Sequence, residues 1–518
     1  MSGLRQRLEA HLGTVLFLTS FAIYLFTLAP SAMWGDSAKY VIHSATWQLS
    51  IDGGYHPTYA ILSAAFVRLF PFGDAAVALN VLSALFGAAS VVLLFRLIIA
   101  ERVRPAIAGC ASLAFAFSHA HWHLSVIAES YTLSVLGILA TMIVVRPLLH
   151  SDATNASPTI GRFFAVGAVA GLVISNFLLM IAYFGLLLGL FALFAREPWR
   201  HQPLKKIAAV VGGTVAGTSL IWGPWLYYVQ GGMLSADQAT SLALNGRYAS
   251  TFFWQAPAEA FRGLTLLSGL TLYQFPSPLL AFAIPGVWWM RERLGWTLWL
   301  VGMMVGTYLF CSTYMIQRAV FVLVPVFALW TLFAAVGLDR VIARLGDARP
   351  RRRQLCWASA VVMAIAPIPV YPAFLSGLAY AEIDPVPGRD VPYRQNAKYF
   401  LLPAKHHDDG PERLTEEILA RVGAGCVIAD FTPFTAISYQ LSRRPHSVTL
   451  RSSEGVDAPG LETLIESYVD TGLGLYFVDD EAGAYPIEEL APDYQLEAAG
   501  KIWRVVAKPS PASPASSG

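Results

Sequence analysis

The sequence predicts an α-helical, multi-pass membrane protein that ends in a small α/β soluble domain. Of its 518 residues, 55% are hydrophobic and only 14% charged, at a mean hydropathy of +0.52. A soluble chain carries roughly a quarter charged residues. Long apolar runs recur as far as residue 375, and from about Asp384 the composition turns soluble. The net charge of +2 is too small to argue for a nucleic-acid partner, and 13% aromatic residues suit interfacial belts.

A membrane span needs about 20 apolar residues. About eleven candidate segments meet that measure, near 12–29, 76–99, 105–120, 124–146, 161–176, 177–195, 207–228, 264–290, 295–313, 319–338 and 355–375. The fifth and sixth meet so tightly at Ser175-Asn176 that one long helix is an alternative. The first run is longer than the ~7–15 residues of a signal-peptide core and has no good small-residue cleavage site, so it reads as a retained span. When spans alternate, Arg5, Arg7, Arg102, Arg104, Arg196, Arg200, Lys205, Lys206, Arg291, Arg293 and the run 349–353 fall on one side. The positive-inside rule makes that side cytoplasmic. The amino terminus is then cytoplasmic, and the first outer loop and carboxy-terminal domain lie outside.

That outer loop is itself patterned. Ala38, Val41, Ile42, Ala45 and Leu49 share one helical face, with Asp36 or Ser37 placed to cap the helix. Past the Asp52-Gly53-Gly54 turn, Pro57 suits the first position of a second helix, with Leu62, Ala65, Phe66 and Leu69 as its apolar stripe. Both are too short to span and are expected on the membrane surface.

The domain division is 1–375 transmembrane, 376–508 soluble and 509–518 a disordered, Pro/Ser/Ala-rich tail. In the soluble part, helical stretches 412–423, 432–442 and 461–471 alternate with apolar runs 426–429, 447–450 and 475–478, with a last run at 502–507. That order predicts an α/β sheet. No glycine-rich phosphate loop opens its helices, so no cofactor is assigned. Four scattered cysteines suggest neither a disulfide framework nor a metal motif.

Asp36 stands where the first span leaves the bilayer, in Trp34-Gly35-Asp36-Ser37. A carboxylate there suits activation of an acceptor hydroxyl; the bland alternative is a helix cap. Glu129 follows the polar cluster 118–123 at the outer end of the third and fourth spans, where an ionisable group is costly and usually functional or paired. His119, His121 and His123 are read as interfacial, facing water, rather than as metal ligands.

Several motifs recur in order over the first 180 residues: Trp34-Gly35-Asp36-Ser37, His56-Pro57, Phe70-Pro71-Phe72-Gly73, the segment opened by Asn80-Val81-Leu82-Ser83, and Ala128-Glu129-Ser130-Tyr131. With the early span and two surface helices, they resemble the GT-C glycosyltransferases, and within these the protein O-mannosyltransferase-like family. Two positions depart from the pattern. Lys39 stands where the family usually has an acidic residue, and Thr58-Tyr59 follows His-Pro in place of proline and glycine.

The resemblance implies transfer of a sugar, a mannose-like hexose favoured, from a polyprenyl-phosphate carrier to a protein or glycan hydroxyl, with inversion. Asp36 would be the base. By position, Lys39, His56, Glu129 and Arg318 are candidates for substrate contact, with Arg318 and Lys39 for the phosphate and Arg247 and Arg262 weaker; lipid-headgroup contact for Arg318, a helix cap for His56 and a structural pairing for Glu129 are the alternatives. The lipid-linked donor is a co-substrate, and a single phosphate needs no bridging metal. The composition suggests a bacterial inner membrane. A transporter or flippase of a lipid-linked sugar is the alternative, disfavoured by the absence of a clear repeat between the two halves; an assembly scaffold is a third reading.

Overall fold

The computed structural model describes residues 2–47, 56–70, 73–149, 159–177, 180–194, 202–244, 257–313, 319–345, 350–383, 391–453, 456, 458–478 and 493–508. Arg318, Arg247, the 52–54 turn, Pro71-Phe72 and the 509–518 tail lie outside these residues.

Helix α1 (Ser2–Phe26) leads into a loop and then into α2 (Asp36–Thr46) and α3 (Pro57–Leu69). At 11 and 13 residues, about 16 and 20 Å long, neither reaches across a ~30 Å hydrocarbon layer. They pack on each other through the Ser44 and Ser63 hydroxyls at 2.7 Å and the Tyr40 and Tyr59 rings at 5.2 Å. Pro57 does open α3, its missing N–H falling where a helix leaves that group unbonded anyway. Asp36, however, is the first residue of α2 and not its cap. Gly35 holds the cap position at φ 68, a left-handed conformation that suits glycine.

Helix α4 (Ala75–Ala100) is the central span, followed by α5 (Pro105–Ala116), α6 (His119–Ser125) and α7 (Tyr131–Leu149). Five helical runs among the described residues are individually long and apolar enough to cross a membrane, and up to seven if two bent pairs each count as one. The division into about eleven segments is redrawn in places. The third segment is only the 12-residue α5, about 18 Å, and the polar Ser118 starts a separate short helix. The eighth stops at Gln274, before Pro276 and Pro278, and its end joins the next helical run, Leu280–Ser312. The eleventh bends by 64° where Pro367 follows Ile365-Ala366.

The fifth and sixth segments are two helices, α8 (Ile160–Ile174) and α9 (Met180–Phe194). Helix α8 packs against α10 (Pro203–Gly217) backbone to backbone. A Cβ on Gly167 would fall 2.0 Å from the Val210 carbonyl oxygen, and one on Gly213 would fall 2.1 Å from that of Phe164. With Gly171 and Gly217 one turn on, each helix offers a small-xxx-small face, as close packing in lipid requires. Leu204, Val211 and Val215 on α10 instead point outward, as lipid-facing residues do.

At one end of α4, Glu101 is buried and paired with Arg146, at 2.6 Å, and with Arg293. Arg104 reaches Asp339 nearby, also at 2.6 Å. Cations from loops assigned to one side thus meet at one end of the bundle. The Asp36 loop lies at the other end of this 26-residue helix, about 39 Å away.

The carboxy-terminal domain carries a five-stranded sheet of order β2-β1-β3-β5-β4. β1 (Cys426–Ala429), β2 (Thr449–Ser452) and β3 (Leu475–Phe477) are parallel; β4 (Tyr494–Ala499) and β5 (Ile502–Ala507) form an antiparallel hairpin on β3. β1 is fully buried and its apolar run is plain in the sequence. β4 was not expected: it is an edge strand, half exposed and interrupted by Glu497. The domain docks on the membrane region. Lys405, buried, donates its backbone N–H to Thr27 at 2.9 Å and its ammonium to the Tyr399 and Leu402 carbonyls, both at 2.6 Å.

Candidate active site

The loop between α1 and α2 is held from below by Asn80, whose buried amide donates to the carbonyls of Ala29 at 3.0 Å and Ser31 at 3.2 Å. Trp122 anchors the same stretch through Thr27 Oγ1 at 2.9 Å. Asp36, half-buried, therefore enters α2 from a fixed approach. In the first turn its carboxylate sits at the positive end of the helix dipole.

Tyr40 lies one turn on and is the hub of the site. Its phenol is held well above the ordinary tyrosine range, first by burial and then by the charges of Asp36, Glu129 and Tyr131. Those three groups therefore lie near enough for their charges to act on it. Glu129 precedes α7, its backbone N–H donating to Ser83 Oγ at 3.2 Å. Tyr59, on α3, also feels the Glu129 charge.

His56 caps α3 in a left-handed conformation, φ 51. Its ring meets Tyr40 at 6.1 Å and Tyr131 at 5.9 Å. Its Nδ1 hydrogen-bonds the backbone carbonyl of Asn176. A carbonyl only accepts, so Nδ1 carries the proton and a neutral ring leaves its lone pair on Nε2. Asn176 fills the break between α8 and α9. Its side-chain oxygen accepts from Tyr59 N at 3.0 Å, and its amide donates to Ser130 O at 3.1 Å and Ser134 Oγ at 2.8 Å.

Four elements far apart in sequence thus converge, and Asp36, His56 and Glu129 surround one buried tyrosine. Lys39 sits on the flank, its ammonium 5.9 Å from the ring of Phe431 in the carboxy-terminal domain. Arg318 lies outside the described residues. The three histidines of α6 do not face water but are buried. His119 and His123 stack at 5.9 Å among Tyr273, Tyr371, Phe321 and Tyr399, whereas His121 turns to Gly87 O at 3.2 Å. Tyr40, Tyr59 and Asn176 were not anticipated. An amide in an otherwise apolar run, as at Asn176, is the one signal that pointed there.

Across solved structures, the same architecture occurs in ArnT from Cupriavidus metallidurans bound to undecaprenyl phosphate, with a TM-score of 0.56 at 15% identity over 95% of this chain and 97% of that one. The apo oligosaccharyltransferase of Archaeoglobus fulgidus gives 0.51 at 11% identity, covering 96% of this chain and 74% of that one. The chain has the GT-C fold. Residues 36–201 match the family described as the protein O-mannosyl-transferase TMEM260 N-terminal domain. Mouse protein O-mannosyl-transferase TMEM260 is 30% identical over 163 residues, 31% of this chain and 22% of the mouse protein. The matched stretch thus spans about a fifth of that relative. The family match begins at Asp36 and contains His56, Glu129 and Asn176.

Proposed function

We propose that this chain is a membrane glycosyltransferase that moves a sugar, a mannose-like hexose favoured, from a polyprenyl-phosphate donor to a hydroxyl acceptor such as a protein Ser/Thr or a glycan. The reaction inverts the anomeric carbon on the extracytoplasmic face of a bacterial inner membrane. The observation that carries this reading is the placement of Asp36 in the first turn of α2, with His56 and Glu129 around the same buried Tyr40.

In one displacement, the acceptor oxygen bonds to the anomeric carbon as the carbon–oxygen bond to phosphate breaks. The acceptor proton passes to Asp36, and polyprenyl phosphate departs. A carboxylate with an ordinary pKa of about 3.9 is a weak base for an alcohol. It suffices when the proton moves late, after bond formation has made the hydroxyl acidic. Lys39 and Arg318 steady the departing phosphate, while His56 and Glu129 orient sugar and acceptor. A single-phosphate donor makes no demand for a metal. ArnT, of the same fold, has been seen bound to undecaprenyl phosphate, and the TMEM260 match takes in Asp36, Lys39, His56 and Glu129.

The test is Asp36→Asn, assayed with a panel of polyprenyl-phosphate hexoses by following loss of donor. Transfer should fall at least a hundredfold, with expression and thermal stability unchanged. Near-normal turnover would refute the role of Asp36.

A further inference from the structure

The helix Phe431–Ser442 of the carboxy-terminal domain lies against α2, some 400 residues away in sequence. Its contacts fall on one stripe. Gly35 donates its N–H to the Thr432 carbonyl at 3.2 Å and accepts at its own carbonyl from the Thr435 hydroxyl at 3.0 Å. Farther along, Gln440 donates to Ser31 Oγ at 2.9 Å. Tyr439 bonds Asp74, the cap of α4, and Arg443 pairs with the same carboxylate at 3.0 Å. The Phe431 ring lies beside the Lys39 ammonium.

The Gly35 N–H is therefore held from outside the membrane region, and its carbonyl is shared between the Thr435 hydroxyl and the Lys39 backbone N–H of α2, 3.2 Å away. This glycine sits at φ 68 and directly precedes Asp36, so rotation about it swings the carboxylate. Glycine has more conformational freedom to lose than any other residue. Asn80 and Trp122 fix the loop upstream at residues 27–31, and the bonds with Thr432 and Thr435 restrict the glycine itself.

We propose that Thr435 is a positioning residue for Asp36, and that the carboxy-terminal domain holds the reacting carboxylate in register through Gly35. This rests on the reading of Asp36 as the base. Removing the hydroxyl leaves the donor-binding surface intact but loosens the carboxylate. A small misplacement of a reacting group lowers turnover steeply while leaving uniform binding alone.

The experiment uses the full chain in nanodiscs, with undecaprenyl-phosphate mannose as donor. Thr435→Val should lower kcat by about ten- to a hundredfold with donor KM within about twofold, and Thr435→Ser should restore most of it. In an Asp36→Asn background, Thr435→Val should have no further effect. Hydrogen exchange over residues 31–40 should quicken in Thr435→Val, whichever sugar is used. Wild-type kcat in Thr435→Val, equal losses in the Val and Ser variants, or unchanged exchange would each overturn the proposal. Should Thr435→Val fail to fold, Arg443→Ala loosens the exposed end of the same contact and carries the same expectation. If the wild type transfers no sugar to any acceptor, the enzymatic reading fails instead; the exchange measurement then still decides whether the clamp exists.

Discussion

Asn176→Ala removes three side-chain hydrogen bonds, but their losses are not equal. The Ser130 carbonyl keeps the Ser134 backbone N–H at 3.2 Å and the Ser134 hydroxyl at 3.3 Å, so it remains satisfied. The Ser134 hydroxyl likewise retains that carbonyl. The Tyr59 N–H has no such substitute, being one of the first-turn amides of α3 that a helix leaves unbonded. Stranding a buried amide costs about 1–3 kcal/mol, and the emptied side-chain volume adds to this, for roughly 2–4 kcal/mol in all. Ser134→Ala removes only the Asn176 contact and a helix back-bond and should cost about 1 kcal/mol. The double variant should fall short of additivity by about the same amount, because the shared bond is lost only once. Survival of a monodisperse peak after heating, followed by size exclusion, ranks the variants by thermal inactivation. Asn176→Ala should be clearly the weakest single variant. Its kcat should also fall, since His56 is presented from the same end of α3. Wild-type heat resistance in Asn176→Ala, or an equal loss in Ser134→Ala, would refute this account of the site's support.

Glu101→Gln leaves Arg146 and Arg293 facing each other around a neutral amide, and breaking such a buried pair costs about 3–5 kcal/mol; thermal inactivation should show it, with donor KM unchanged. Gly213→Val drives a side chain into the Phe164 carbonyl and should destabilise by at least about 1–3 kcal/mol, seen as earlier heat aggregation than in Gly212→Val, whose Cβ meets nothing. Burial lowers the pKa of Lys405 from its ordinary 10.5 to about 7, with Asp408 opposing the shift and Lys398 adding to it. Between those values the unfolded chain holds a proton that the folded chain lacks, so stability should rise with pH from about 7 to 10.5, by at most about 1.4 kcal/mol per unit. In Lys405→Met this rise should vanish, and parallel melting curves for the two proteins at pH 7, 8 and 9 would contradict it.

The parts of the molecule that were legible in the sequence are those whose cause is local. The stripe Ala38, Val41, Ile42 and the proline at position 57 define α2 and α3 because helix period and proline geometry act within a few residues. The apolar run of β1 marks a buried strand for the same reason, whereas β4, half-wet and paired on one side, gives no such contrast. Span boundaries failed where a proline or a polar residue divides an apolar run, at Ser118, Pro276 and Pro367. Hydropathy averages over just those interruptions. The buried histidines of α6 failed for a different reason: imidazoles packed among aromatic rings look, in sequence, like residues meant for water.

What local pattern does not encode is which distant groups come to meet. Asp36 was found from its own motif, and so were His56 and Glu129. Tyr40 lies one turn from Asp36 yet gains its significance only when α7 brings Glu129 beside it. Asn176 reads as a linker amide until α3 is folded against it. Thr435 stands in an ordinary amphipathic helix whose hydroxyl meets Gly35 across 400 positions of chain. In each case the motif supplies the proposed reacting group, and a residue outside it lies against that group's support. Supporting residues are thus constrained by the shape of one partner rather than by a shared chemistry. The family match covers residues 36–201, whereas the contacts made to Gly35 reach into the carboxy-terminal domain.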